Sequence, residues 1–122
     1  MTTMTRGSLA LLSMLALLAV PRAVSAADVA MLQGLDKITA RVSTFEAPVG
    51  RTVRFGTLAI VIQSCQKRPP EEPPESAAFI EINDMKPGET VVTLFRGWMF
   101  ASSPAVSALE HPVYDVWLID CK

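Results

Sequence analysis

The chain has 122 residues, half of them hydrophobic, with 11 basic and 12 acidic side chains, one histidine and two cysteines. That length holds one small domain with one core. The near balance of charge, with no basic stripe, excludes nucleic acid as the partner.

The first residues, MTTMTRGSLALLSMLALLAVPRAVSAADV, begin with Arg6 and no acid and continue into an apolar run from Leu9 to Val20. About 12 apolar residues fall short of the roughly 20 that span a bilayer, so the segment reads as a cleavable signal peptide rather than a permanent membrane anchor. Val24-Ser25-Ala26 sets small residues before Ala27 and predicts cleavage there, giving an exported, periplasmic product. Loss of residues 1–26 removes two of the 11 basic side chains and no acid, leaving nine against twelve. A flexible segment over 27–36 and a single β domain over 37–122 are expected to follow.

From Ile38 the pattern has period two, with Ile38, Ala40, Val42 and Thr44 on one half-buried face of a strand and Thr39, Arg41 and Ser43 on the other. After Pro48 and Gly50, Val53 and Phe55 begin a second strand that turns at Gly56. Leu58 to Cys65 is apolar on both faces as far as Gln63 and predicts a central strand. In "CQKRPPEEPPES", Pro69, Pro70, Pro73 and Pro74 remove four amide donors and bias their neighbours toward extended shapes, so a stiff surface loop is expected. "AAFIEIND" alternates from Ala77 to Asp84, Lys86-Pro87-Gly88 supplies a turn, and "TVVTLFRGW" follows as a fifth strand. Ser103 as N-cap and Pro104 at the first helical position predict a short helix over Ala105 to Glu110, stopped by Pro112. The last strand, Val113 to Cys121, is mostly apolar on both faces and belongs in the middle of a sheet. Six short strands separated by Gly and Pro turns predict an all-β domain, a small antiparallel sandwich or barrel with one short helix.

Export places Cys65 and Cys121 in an oxidising compartment, where a disulfide is expected; two buried free thiols or one reactive thiol are the alternatives. The disulfide would close a loop of about 57 residues, worth at most about 4 kcal/mol by chain entropy.

The blocks "GRTVRFGTLAIVIQSCQKRPPEEPPESAAFIEI" and "LFRGWMFASSPAVSALEHPVYDVWLIDC" resemble the exported alphaproteobacterial family of the domain of unknown function 2155. The likeness runs over roughly Leu35 to Cys121, with both cysteines, the paired prolines and the Gly-Trp element present. It implies an exported single-domain protein without an assigned activity. In that family the gene often lies beside one for an accessory subunit of the respiratory NADH dehydrogenase, which makes an envelope or respiratory-complex protein the expected partner.

Candidate chemistry concentrates between Gly97 and Cys121, where both tryptophans, the only tyrosine and the only histidine lie. His111 and Asp115 with Ser102, Ser103 or Ser107 could supply a triad, but no Gly-x-Ser-x-Gly turn exposes a serine. In a regular strand Asp115 would also lie about 13 Å from His111. His111 is therefore expected to fasten a loop by a side-chain hydrogen bond. The cysteines lack the Cys-x-x-Cys spacing of redox enzymes, and one histidine makes a poor metal set. Calcium on Glu71, Glu72 and Glu75 competes with a plain acidic loop. No cofactor and no enzymatic activity are expected. Trp98, Met99 and Phe100 follow a glycine as three large apolar side chains, and read either as a lid over one end of the barrel or as an interaction surface. The leading reading is a protein-binding or assembly factor of the envelope. The alternative is a small-ligand site at the barrel end formed by Trp98, His111 and Tyr114.

Overall fold

Alternating apolar residues build two antiparallel sheets whose inner faces share one core. In the computed structural model, which describes residues 25–122, the strands are β1 (Ser25–Ala26), β2 (Val29–Asp36), β3 (Arg41–Pro48), β4 (Thr52–Phe55), β5 (Leu58–Lys67), β6 (Ser76–Asp84), β7 (Val92–Phe100), β8 (Leu109–Glu110) and β9 (Tyr114–Cys121). The first sheet has the order β1-β5-β6-β7, with β4 also paired to β5; the second has the order β3-β2-β9-β8. Leu58, Ile60, Ile62, Ala78, Ile80, Ile82 and Met99 of the first pack against Ala30, Leu32, Ala47, Val116 and Leu118 of the second. The fold is the expected all-β class in its sandwich form.

Cys65 and Cys121 form a disulfide with their Cα atoms 5.7 Å apart, joining β5 of one sheet to β9 of the other. Strict alternation would forbid it. With Ile60 and Ile62 inward, Ser64 would come next and Cys65 would face out; with Val116 and Leu118 inward, Asp120 would come next and Cys121 would face out. A register shift between Ile62 and Ser64 leaves Gln63 as an extra residue. A second shift, where Leu32 faces Leu118 and Met31 faces Asp120, does the same for Ile119. Each bulge reverses the phase of its strand and turns the sulfur into the core. The two strands carry the same spacing, Ile60-x-Ile62-x-x-Cys65 and Val116-x-Leu118-x-x-Cys121.

Several expectations are corrected. The segment 27–36 is not a flexible lead-in: Val29–Asp36 is β2, an interior strand with Ala30 and Leu32 fully buried. Of the residues expected in the signal peptide, 1–24 lie outside the described residues, while Ser25 and Ala26 pair with Lys67 and Gln66 of β5. The strand expected from Ile38 starts at Arg41 and has the opposite phase. Asp36 Oδ1 accepts the amides of Ile38 (2.9 Å) and Thr39 (3.2 Å), making an Asx turn that consumes residues 37–40, with Ala40 left-handed at φ 56°. Phe45 and Ala47 therefore point inward, and Ile38 and Val42 are 78% and 57% exposed. The helix is one turn, Pro104–Ser107, and Ser103 makes no side-chain cap; Leu109–Glu110 pairs with β9 instead of continuing it.

An aromatic seam closes the end of the sandwich opposite the disulfide. Phe45 stacks on Phe55 (5.4 Å between centroids), Phe55 meets Tyr114 edge-on at 5.4 Å, and Tyr114 stacks on His111 at 5.7 Å. Two glycines make room for it. A β-carbon on Gly34 would strike the Phe55 ring, and one on Gly56, already at φ +57°, would strike Tyr114.

Reduction of the disulfide, or the Cys65→Ser/Cys121→Ser variant, lowers unfolding stability by up to about 4 kcal/mol in urea titrations with and without reductant. Gly56→Ala, with both a steric clash and a left-handed backbone, costs about 1–3 kcal/mol in the same measurement, while the equally left-handed but open Gly88→Ala costs less.

Candidate functional site

His111 sits in the connection between β8 and β9, where Pro112 disfavours helix. The buried ring is fully engaged. Nδ1 accepts the amide N–H of Val113 at 3.0 Å and of Tyr114 at 3.4 Å, and Nε2 lies 3.1 Å from Asp84 Oδ2. A nitrogen that accepts amide hydrogens carries none itself, so the geometry assigns the Nε2–H tautomer, donating to Asp84. Lys37 extends the knot, donating through Nζ to the His111 carbonyl (2.8 Å) and pairing with Asp115 Oδ1 at 2.9 Å. Asp84 ends β6, and Lys37 follows β2. The cluster thus ties the two sheets together at the end far from the disulfide, and His111 fastens a loop as expected.

Of the triad candidates, Ser102 is not at this ring. Ser102 lies at the other end, where its amide donates to Glu75 Oε1 (3.1 Å) and its hydroxyl to Glu75 Oε2. Glu75 Oε1 also accepts the Ser76 amide at 3.0 Å. Glu75 is thereby committed to closing the proline loop rather than joining Glu71 and Glu72 around a cation, and among the described residues no cluster of acids, His or Cys has the arrangement of a metal site. The loop is pinned further by Arg68 N–H to the Glu75 carbonyl (3.0 Å) and by a turn from Glu72 N–H to the Pro69 carbonyl (3.1 Å). Next to it Asp120 Oδ1 accepts from Lys67 Nζ (3.0 Å), the Ser76 hydroxyl (3.2 Å) and the Cys121 amide (2.9 Å).

Three carboxyls titrate low for these reasons. Burial pushes Asp84 up, but the neighbouring Thr57 hydroxyl, the His111 hydrogen bond and the Lys86 charge outweigh it and hold it below the ordinary 3.8. Desolvation likewise opposes, without overcoming, the Ser102 and Ser76 donors and the Arg68 charge at Glu75. At Asp120 it opposes Lys67, the Cys121 amide and Ser76 in the same way.

Trp98, Met99 and Phe100 form no lid. They lie in the regularly paired end of the edge strand β7, past the register shift at Leu94, so they alternate: Met99 is 1% exposed, Trp98 and Phe100 are 41% and 42% exposed. Cross-strand pairing sets Trp98 opposite Phe79, with centroids 5.5 Å apart and planes at 77°, and Phe100 opposite Ala77. Phe79, Trp98 and Phe100 therefore make an aromatic row on the outer face of the first sheet, beside the proline loop, with Arg96 next along β7. A shallow hollow of about 150 Å³ lined by Gln66, Arg68, Glu75, Ala77 and Phe100 continues the row. The expected ligand site of Trp98, His111 and Tyr114 does not assemble. Trp98 faces Phe79 while His111 bonds Asp84, five residues along β6 or about 17 Å away.

Sequence reasoning missed Asp84 and Phe79. Both stand out in the alternation of "AAFIEIND": Asp84 falls in the buried phase of Ala78, Ile80 and Ile82, where a carboxylate needs partners, and Phe79 falls in the solvent phase.

Residues 30–121 match the family model described as "Uncharacterized protein conserved in bacteria (DUF2155)". A similar protein is "Uncharacterized protein RP359" of Rickettsia prowazekii (strain Madrid E), 32% identical over 87 residues, which cover 71% of this chain and 56% of that protein. The chain thus spans little more than half the length of that relative. No solved structure matches.

Carboxyls that titrate low in the folded state bind protons more weakly there than in the unfolded chain. Their stabilisation is complete well above 3.8 for Asp84 and Asp120 and 4.5 for Glu75, and is lost as pH falls through and below those values. Urea midpoints measured from pH 7 to pH 2 are expected to hold steady and then drop below about pH 4.5. Asp84→Asn removes one titrating group and makes the acid limb shallower; an unchanged limb would show that Asp84 is not linked to folding.

Proposed function

The chain belongs to the bacterial family described as DUF2155, and on that footing we propose that it is an exported, non-enzymatic binding protein of the cell envelope. The proposed docking site is the row Phe79, Trp98 and Phe100. The observation that carries this reading is the exposure of two large aromatic side chains, 41% and 42%, on a regularly paired stretch of β7 whose intervening Met99 is buried. A strand of this kind places polar groups on its outer face unless the face is used, and Trp, Phe and Arg are the residues that anchor interface centres. The row is presented rigidly. Phe79 is on an interior strand, and the neighbouring loop is fixed by its prolines and by the Glu75–Ser102 hydrogen bonds.

Export to the periplasm is part of the proposal, and two features support it. One is the short apolar run from Leu9 to Val20 after a basic start. The other is the Cys65–Cys121 disulfide, which suggests an oxidising, non-cytoplasmic environment. Among the described residues no helix is long and apolar enough to cross a membrane. A subunit or assembly intermediate of an envelope membrane complex is the proposed class of partner.

In cells expressing the full chain, a photo-crosslinking residue at position 96 is expected to form one discrete adduct in the envelope fraction. Trp98→Ala and Phe100→Ala should each abolish the adduct while shifting the melting temperature little. Persistence of the adduct in both variants, or collapse of the fold in both, would sink the assignment of this face.

A further inference from the structure

The backbone of β7 carries hydrogen-bonding capacity that the sandwich leaves unused. β7 ends the order β1-β5-β6-β7, so one of its long sides has no neighbouring strand. In an antiparallel ladder, residues alternate between turning both backbone groups toward the neighbour and turning both away. The phase is fixed at the end of β7. The Ala101 amide donates to the Ser76 carbonyl (2.9 Å), toward β6, whereas the Phe100 carbonyl turns away and accepts the Ser103 amide (3.1 Å). Counting back by twos, Met99, Gly97 and Phe95 bond to Ala78, Ile80 and Ile82, while Trp98 and Arg96 turn their amides and carbonyls to the open side. Those four groups have no partner among the described residues.

The other side of this sheet is closed. β4 covers residues 58–61 of β5, β1 covers Gln66 and Lys67, and between them the Gly50 and Ala27 amides donate to the Ile62 and Cys65 carbonyls, each at 2.8 Å. On β7 only the ends are guarded, by the register shift at Leu94 and by the turn that takes the Phe100 carbonyl. Residues 95–99 form an open window with no proline and no lysine.

The side chains define what fits this edge. Arg96 and Trp98 direct their side chains to the outer face, so each would stand beside a residue of an added strand. Arg96 is exposed and forms no ion pair among the described residues. Its register partner Glu81 is engaged by Gln63, whose Nε2 donates to Glu81 Oε2 at 3.2 Å. An added strand that places an acid opposite Arg96 and an apolar side chain opposite Trp98, two positions apart, satisfies both. β7 itself, VTLFRGWMF, contains no acid. A second copy paired edge to edge would bring another Arg96 and no acid to the ladder, so charge selects a foreign segment.

We propose that the partner binds by strand addition: an extended segment of an envelope protein, with an acidic and an apolar residue two positions apart, pairs with the open edge of β7 through the Arg96 and Trp98 backbone groups. The proposal rests on the docking reading of Phe79, Trp98 and Phe100 and adds the backbone to it. Main-chain hydrogen bonds supply affinity and register, and Arg96 and Trp98 select the sequence.

A photo-crosslinking residue at position 93, on the same strand, tests this in cells expressing the full chain. Arg96→Ala is expected to lower the adduct about two- to fivefold, the worth of one exposed charge pair. Arg96→Pro should abolish it, because proline removes the outward amide at a position where an edge strand tolerates the ring. In the purified wild-type adduct the Arg96 and Trp98 amides should exchange with deuterium at least tenfold more slowly than in the free protein, and this readout decides if Arg96→Pro does not fold. An adduct lost in Trp98→Ala but equal in Arg96→Pro and Arg96→Ala, with both amides exchanging freely, overturns strand addition and leaves the docking face standing. An adduct unchanged by Trp98→Ala and by Phe100→Ala overturns the face and strand addition with it. An adduct made only of two copies of this chain overturns the choice of a foreign segment.

Discussion

The architecture turns on one requirement, that two sulfur atoms on different sheets face each other inside the core. A domain of this size buries too little surface to be secure on packing alone. A cross-link closing more than fifty residues removes much of the unfolded chain's freedom. To make it, β5 and β9 each give up regular pairing at one point, and the residues displaced from the core phase there, Ser64 and Asp120, are polar. The bulges thus expel a hydroxyl and a carboxylate and admit a sulfur. Asp120, once turned out, becomes the acceptor that holds Lys67, Ser76 and the Cys121 amide.

The opposite end is held by polar and aromatic contacts. Asp84, His111 and Lys37 connect β6 to the turn after β2, and the stack from His111 through Tyr114 and Phe55 to Phe45 fills the gap between the sheets. The histidine, expected from the sequence to fasten a loop, is consumed by this task, with one nitrogen accepting amide hydrogens and the other donating to a carboxylate. Its value lies in being a hydrogen-bonding hub that joins the β8–β9 connection to the end of β6.

Much of this was legible in the residues. The alternation of Ala77–Asp84 and the two-sided apolar character of Leu58–Cys65 and of the last strand placed three strands correctly, the latter two as interior ones, because side-chain phase follows directly from burial. Errors arose where the local count of residues was altered by turn chemistry. Asp36 capping its own turn shifted the strand that begins at Arg41 by one phase, and Pro104 started a helix that the pairing of Leu109 with Val116 cut short. The strand β2 was overlooked because its outward positions are apolar too, which blurs the period-two signal. The site fared similarly. The exposure of Trp98 and Phe100 follows from alternation once the strand that holds Gly97 is carried on through Phe100, whereas the separation of Trp98 from His111 depended on register, which one sequence does not reveal.

The bulges also change what kind of mutation the protein can absorb. Gln63 and Ile119 are the residues their partners skip: Ser64 already faces Phe79 next to the Ile62–Ile80 pair, and Asp120 already faces Met31 next to the Leu118–Leu32 pair. Deleting either one would leave a regular strand in which Ser64 or Asp120 takes the outward phase and the sulfur still faces the core. A chain shortened at these points should therefore keep its cross-link, and what it would lose is the local bend and added twist that an extra residue gives a strand.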